Sequence, residues 1–140
     1  MLYLDTSVLV TLFTPERESE AVKNWVLDRG TADFGISEWV VTEFLSAISA
    51  KIRMNVISRE DAAAAEKQFS QSRRDLAMLN FENRYCADAG RFLRGQETAL
   101  RANDALHLAI VSGASATLCT RDRRFADAIR SIGLPVEHLD

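Results

Sequence analysis

The predicted fold follows from the stretch Leu2-Tyr3-Leu4-Asp5-Thr6-Ser7, which has the pattern of a buried strand running into a helix. Three consecutive apolar residues are typical of a strand that is covered on both faces of a parallel sheet. Apolar residues then return in a helical register, so Thr6 or Ser7 is expected to cap that helix. Asp5 would then lie at the carboxyl end of a strand, where open α/β sheets bind ligands. By itself, Asp5 is better explained as part of a strand-to-helix turn.

Strand-like and helix-like segments alternate along the rest of the chain. Pro15 is expected in the first turn of a second helix. Ser37 and Ser58 are expected to cap two longer helices that form a hairpin over 37–75. Further strands are predicted at 34–36, 77–81, 116–120 and 135–137, the last at a sheet edge because it contains Pro. This alternation predicts a three-layer α/β/α sandwich with a mostly parallel central sheet and a projecting helical hairpin.

Composition favours an ordinary globular protein. The 140 residues, of which 47% are hydrophobic and 26% are charged, are expected to form one domain over 1–140. Cys86 and Cys119 are expected to be buried free thiols, and we expect a cytoplasmic protein without a signal peptide or membrane span. A net charge of −3 does not indicate nucleic-acid binding, but 14 of the 17 basic residues are Arg, whose planar fork suits phosphate.

Three further acids are predicted near Asp5. Glu43 shares the inward face of its helix, Asp104 falls in the first turn of an apolar helix, and Asp122 follows a strand. Each has a structural explanation, but right-handed crossovers bring all four to one edge of the sheet. Clustered carboxylates repel one another unless a cation lies between them, and Mg²⁺ or Mn²⁺ suits such oxygen ligands. Zinc is not indicated, because the His and Cys residues lack ligand spacing, and His107 is expected to be a hydrogen-bonded structural residue.

Four short motifs in this order resemble those of PIN domains, and the length and hairpin resemble the VapC toxins of type II toxin–antitoxin pairs. They are Leu4-Asp5-Thr6-Ser7, Thr42-Glu43-Phe44, Asp104-Ala105-Leu106-His107-Leu108-Ala109, and Thr120-Arg121-Asp122 with Phe125. The resemblance implies a metal-dependent endoribonuclease that cleaves RNA, is restrained by a cognate antitoxin and forms a homodimer.

The same resemblance assigns roles to particular positions. It implies that four acids bind the metal and carry the catalysis: Asp5, Glu43, Asp104 and Asp122. It also implies that Thr6 and Thr120 support them with their hydroxyls. Arg123 and Arg124 stand where some members of the family have a further acid, so the binding of a second metal ion stays open.

Other readings of the chain are weaker. A phosphotransfer enzyme of the haloacid-dehalogenase kind needs a second Asp where Ser7 stands, and a receiver domain needs a late Lys, whereas the last one is Lys67. A non-catalytic PIN-like module that binds RNA or protein is the main alternative, although such modules usually lack one of the acids. The hairpin is predicted to bind an apolar antitoxin segment, with Trp39 and Phe69 as anchors.

Overall fold

The computed structural model describes residues 1–30, 33–95 and 100–140. Its strands form one sheet in the order β3-β2-β1-β4-β5, and every neighbouring pair is parallel. The strands are β1 (Leu2–Leu4), β2 (Phe34–Ser37), β3 (Ala77–Leu79), β4 (Thr117–Thr120) and β5 (Val136–His138). The predicted parallel sheet is confirmed, and β1 is its central strand because it pairs with β2 on one side and β4 on the other.

Helices connect the strands and cover the sheet. They are α1 (Thr6–Phe13), α2 (Ser19–Asp28), α3 (Glu38–Arg53), α4 (Arg59–Ser72), α5 (Arg84–Arg94), α6 (Ala102–Ala114) and α7 (Arg123–Ser131), with a 3₁₀ turn at Arg73–Asp75. The strand order reverses direction after β3. Right-handed crossovers therefore place α1 to α4 on one face of the sheet and α5 to α7 on the other. The predicted three-layer fold class is confirmed.

The core forms where both helical layers meet β1. Tyr3 and Leu4 are 0% and 2% exposed, as expected for a strand without a polar face. In α6, the run from Ala105 to Val111 is buried apart from Leu106, which is only partly exposed. Because β1 is held from both faces, the carboxylate that follows it is fixed at the centre of the sheet edge.

The hairpin of α3 and α4 packs against α1 through three aromatic rings. The Phe69 ring centroid lies 4.3 Å from that of Phe44 and 5.6 Å from that of Phe13. Phe69 is only 3% exposed, so it belongs to the core. The prediction that Phe69 anchors a partner segment is therefore wrong, because its ring already packs against Phe13 and Phe44. Trp39 remains partly exposed.

Two helix starts differ from the prediction for reasons of local hydrogen bonding. Pro15 lies outside α2, which begins at Ser19, because the Ser19 hydroxyl donates to the Thr14 carbonyl and accepts from the Glu16 N–H, both at 2.9 Å. These bonds stabilise a turn in place of helix. The N-cap of α1 is Asp5 and neither Thr6 nor Ser7, and the N–H groups of Val8 and Leu9 bond to the Asp5 backbone carbonyl.

Two smaller predictions also fail at the surface. Strand β3 ends at Leu79, and Phe81, which was predicted to extend it, is 42% exposed. Cys119 is buried as expected, but Cys86 is exposed on α5. Among the described residues, no helix is both long enough and apolar enough to cross a membrane.

Candidate metal centre

The four acids singled out in the sequence line one open cleft of about 590 Å³. The cleft lies where the parallel strands end, between α1, α3 and the starts of α6 and α7. The structure therefore places Asp5, Glu43, Asp104 and Asp122 in one location. They nevertheless differ in burial and in the hydrogen bonds that hold them.

Asp5 lies deepest and is held through one carboxylate oxygen. It is 7% exposed, and its Oδ2 accepts hydrogen bonds from the Ser7 Oγ at 2.8 Å and from the Thr120 Oγ1. Its other oxygen, Oδ1, lies 3.8 Å from the His107 Nε2. Two hydroxyls thus occupy Oδ2, while Oδ1 keeps lone pairs for a further ligand.

Glu43 on α3 is also held through one carboxylate oxygen. Its Oε2 lies 2.7 Å from both the Thr6 Oγ1 and the His107 Nε2. Burial raises the pKa of this carboxyl, but the hydrogen bond and charge of His107, with the side chains of Thr6 and Asn103, outweigh that effect and lower the pKa overall. The ionised form of Glu43 is therefore favoured, and its Oε2 takes the two close hydrogen bonds.

His107 also contacts this cluster, whereas the sequence predicted it only as a hydrogen-bonded structural residue. Its side chain is almost fully buried, with Nδ1 3.0 Å from the Tyr3 hydroxyl and Nε2 2.7 Å from Glu43. Burial opposes its charged form, yet Glu43, Asp5 and Asp104 together raise its pKa. The expected hydrogen-bonded role is confirmed, and the partner that the sequence did not indicate is Glu43. The signal was the position of His107 three residues after Asp104, on the same face of a helix.

Asp104 and Asp122 line the cleft and also cap helices. The Asp104 Oδ2 accepts from the Arg101 N–H at the start of α6, and the Asp122 Oδ1 accepts from the Phe125 N–H at the start of α7, both at 3.0 Å. Burial raises the pKa of Asp104, and although the Arg101 N–H opposes this, the charges of Asp122 and Asp5 add to it. The structural explanation of these acids therefore holds, and so does their location in the cleft.

The two threonines named with the acids contact them directly. Thr6 donates to Glu43, and Thr120 donates to Asp5 while its Oγ1 accepts from the Asp122 N–H at 3.0 Å. Ser7 makes a contact of the same kind to Asp5 and was not predicted to do so. Hydroxyl donors therefore hold the carboxylates of Asp5 and Glu43, which we call the inner carboxylates. Such an arrangement is common around metal ligands.

The chemistry of these side chains fits a hard divalent cation. One oxygen each from Asp5 and Glu43 and a ring nitrogen of His107 lie within 4.8 Å of one another, and three further acids, Glu16, Asp104 and Asp122, line the same cleft. Carboxylate oxygens are the ligands that Mg²⁺ and Mn²⁺ prefer. Arg121 is the one basic side chain among the described residues that line the cleft, and it donates to the Thr11 Oγ1 at 2.8 Å.

The family model described as PIN domain matches residues 2–130 of this chain. No curated protein matches the chain.

Solved structures of similar fold include toxins and their complexes. FitAcB from Neisseria gonorrhoeae has a TM-score of 0.74 at 20% identity, covering 97% of this chain and 96% of that one. VapC20 from Mycobacterium tuberculosis, a toxin that cleaves the sarcin–ricin loop, has a TM-score of 0.73 at 14% identity, covering 96% of both chains. A toxin–antitoxin complex from Klebsiella pneumoniae has a TM-score of 0.66 at 21% identity, covering 100% of this chain and 98% of that one. At these identities the likeness shows a shared fold.

Proposed function

We propose that this chain, which belongs to the PIN domain family, is a metal-dependent endoribonuclease and the toxin of a toxin–antitoxin pair. One observation carries the proposal: Asp5 and Glu43 each have one oxygen held by donors of the chain, and both line a cleft that Asp104 and Asp122 also line. Such an arrangement stabilises a bound cation and has no evident use without one, since like charges held close together raise the free energy of the fold.

Some residues of the site would bind the ion, and others hold those ligands in place. Mg²⁺ or Mn²⁺ would be bound by the four carboxylates and, when bound, supplies an activated water and charge neutralisation for hydrolysis of a phosphodiester. Thr6, Ser7 and Thr120 fix the orientation of the inner carboxylates. Arg121 on the cleft wall, which lies 3.7 Å from carboxylates of both Glu16 and Glu18, is the side chain there that would contact an RNA phosphate.

The proposal predicts RNA cleavage that depends on added metal. Purified protein should cleave structured RNA with Mg²⁺ or Mn²⁺ and stop in excess EDTA. The Asp5→Asn variant, purified in parallel, controls for contaminating ribonuclease, because a contaminant would copurify with both proteins. Cleavage that persists in EDTA, or that is equal in the variant, would contradict the proposal. RNA binding without cleavage under every metal condition would instead identify a non-catalytic binding module.

The proposed partner is an antitoxin protein. The support is a shared fold with the toxin–antitoxin complex from Klebsiella pneumoniae, and Trp39 on α3 is partly exposed although it also packs against the core. The product of a neighbouring small open reading frame should copurify with the chain and inhibit its RNA cleavage. Trp39→Ala should weaken that inhibition more than Trp25→Ala, which alters a Trp on α2. Equal inhibition of both variants would remove the hairpin as the docking surface.

The proposed assembly of the toxin alone is a homodimer. Light scattering of the purified chain should give twice the mass of one chain across a tenfold range of concentration. A constant monomer mass over that range would contradict the dimer without affecting the proposed cleavage.

A further inference from the structure

We propose that His107 is a positioning residue, which holds the Glu43 carboxylate in the orientation that a cation needs, and that it is not itself a ligand of the ion. The inference rests on the proposed function, because it concerns the same metal centre. It concerns a buried side chain that the proposed reaction does not otherwise use.

A buried chain of hydrogen bonds ends on Glu43. The Ser37 Oγ lies 2.7 Å from the Tyr3 hydroxyl, which lies 3.0 Å from the His107 Nδ1, and the His107 Nε2 lies 2.7 Å from Glu43. Ser37 is itself fixed, because its Oγ accepts from the Val40 N–H at the start of α3. His107 is therefore held at one nitrogen by β1 and β2 and acts on Glu43 through the other.

The hydrogen between His107 and Glu43 lies on the His107 nitrogen. An ionised carboxylate can only accept, so the His107 Nε2 must carry the hydrogen of its bond with Glu43. A nitrogen that carries hydrogen has no lone pair to give to a metal ion. The other nitrogen, Nδ1, is turned toward the Tyr3 hydroxyl. To become a ligand, His107 would have to break its bond to Glu43 and leave that carboxylate without its partner.

The imidazole ring of His107 is tightly packed. His107 is 1% exposed, and its ring centroid lies 5.8 Å from that of Tyr3 and 6.3 Å from that of Phe125. Aromatic neighbours on two elements restrict any rotation that would aim a lone pair into the cleft. Glu43 in contrast has a long flexible side chain, which His107 on α6 and Thr6 on α1 hold from both helical layers. The orientation of Glu43 therefore depends on His107.

The inference predicts different outcomes for two substitutions of His107. In His107→Gln the amide nitrogen can take the place of Nε2 and still donate to Glu43, whereas in His107→Asn it takes the place of Nδ1 and cannot. Outer partners of metal ligands typically contribute about 10- to 100-fold to metal affinity. We expect His107→Asn to weaken Mn²⁺ binding by about that factor and His107→Gln to remain close to wild type. Calorimetric titration of each metal-free protein with Mn²⁺ measures the difference, and His138→Asn is the matched control.

A second variant tests the relay without removing the imidazole. Tyr3→Phe keeps the buried ring and removes the hydroxyl that orients His107, so Mn²⁺ affinity should fall, although by less than in His107→Asn. Tyr85→Phe makes the same chemical change at a hydroxyl that bonds to Glu82 and should leave Mn²⁺ affinity unchanged. Melting curves without metal establish that each variant is folded. If His107→Asn does not fold, the Tyr3 variant and the spectrum of the wild type still decide the question.

Electron paramagnetic resonance of the Mn²⁺-loaded wild type separates a ligand from a positioning residue. We expect no coupling to a directly bound nitrogen. Such a coupling would overturn the inference and leave the proposed function intact, and so would wild-type affinity in His107→Asn or equal losses in the Asn and Gln variants. A wild-type protein that binds no Mn²⁺ would overturn the proposed function and the inference together.

Discussion

The four carboxylates proposed to bind metal form two pairs along the same cleft, and the chain holds the two pairs in different ways. The inner pair, Asp5 and Glu43, contacts side chains that themselves belong to the site: hydroxyls and an imidazole. The outer pair, Asp104 and Asp122, contacts backbone N–H groups at the starts of two helices. The inner acids therefore depend on tertiary packing for their orientation, whereas the outer acids are placed by local helix capping.

The difference shows why a structural explanation of an acid does not exclude a functional one. A helix N-terminus needs an acceptor for its unpaired N–H groups and favours a negative charge. Asp104 and Asp122 meet that need and still point toward the cleft that Asp5 and Glu43 occupy. The side chains of the inner acids cap no helix, so the effects of substitution should separate the two pairs.

The largest expected effect is the loss of RNA cleavage in Asp5→Asn. Outer partners of metal ligands contribute up to about 100-fold, so loss of a proposed ligand at the centre of the site should cost more than that. Single-turnover cleavage rates at saturating Mg²⁺ measure the change. Asp28→Asn makes the same substitution at the end of α2 and should cleave as the wild type does. Cleavage by Asp5→Asn at the wild-type rate would mean that the inner pair has no special role.

A smaller effect is expected when a donor to the inner pair is removed. Thr120→Val keeps the shape of a fully buried side chain and deletes the hydroxyl that donates to Asp5. Mn²⁺ affinity should fall by about tenfold or more, in the range typical of outer partners of metal ligands. Thr117→Val lies on the same strand, away from the cleft, and should bind Mn²⁺ as the wild type does. Equal affinities in both variants would show that Asp5 needs no such donor.

The parts of the fold that could be predicted depend on patterns along the chain. An apolar β1 without a polar face and the alternation of strands with helices are enough for a parallel sheet, and that sheet brings acids at its edge together. Element ends are less predictable, because they depend on competition between side-chain and backbone hydrogen bonds. Ser19 bonds to both Thr14 and Glu16 and delays α2 beyond Pro15, a choice that propensity alone does not reveal.

The parts of the site that could not be predicted depend on contacts between distant elements. His107 meets Glu43 only because α6 and α3 pack on opposite faces of the sheet and extend to the same edge. Phe69 has the periodicity of a packed residue, yet only the structure shows that Phe13 and Phe44 already fill its surroundings. Sequence spacing places residues on faces of helices, and packing decides which faces meet.

The outer pair should show a capping effect that is independent of metal. Asp122→Ala removes the acceptor for the Phe125 N–H, and the loss of such a cap typically costs about 1 kcal/mol. Asp122→Asn keeps an acceptor and should cost much less. In EDTA, the Ala variant should therefore melt roughly 2–4 °C below the Asn variant. Equal melting temperatures would mean that the cap contributes nothing measurable to stability. Local helix capping would then not distinguish the outer pair from the inner pair.

The smallest expected effect is a change in melting temperature on substitution of Asp104. It best separates the role of this acid as a metal ligand from its role as a helix cap. Its pKa in the folded protein is above the ordinary value of 3.8, so ionisation of Asp104 is less favourable in the folded chain than in the unfolded chain. The resulting loss of stability is absent at low pH and fully present once the pH exceeds the folded pKa. Asp104→Asn removes this penalty at neutral pH and keeps an acceptor for the Arg101 N–H.

The melting temperature of Asp104→Asn in EDTA at neutral pH should therefore equal or exceed that of the wild type, whereas a lost helix-dipole partner alone would cost about 0.3–1 kcal/mol. Added Mg²⁺ should raise the melting temperature of the wild type more than that of the variant, because a ligand stabilises only the state that binds it. RNA cleavage by the variant should fall at the same time. A variant that melts lower in EDTA and still cleaves RNA would show that Asp104 only caps α6, and the proposed site would then consist of the inner pair with Asp122.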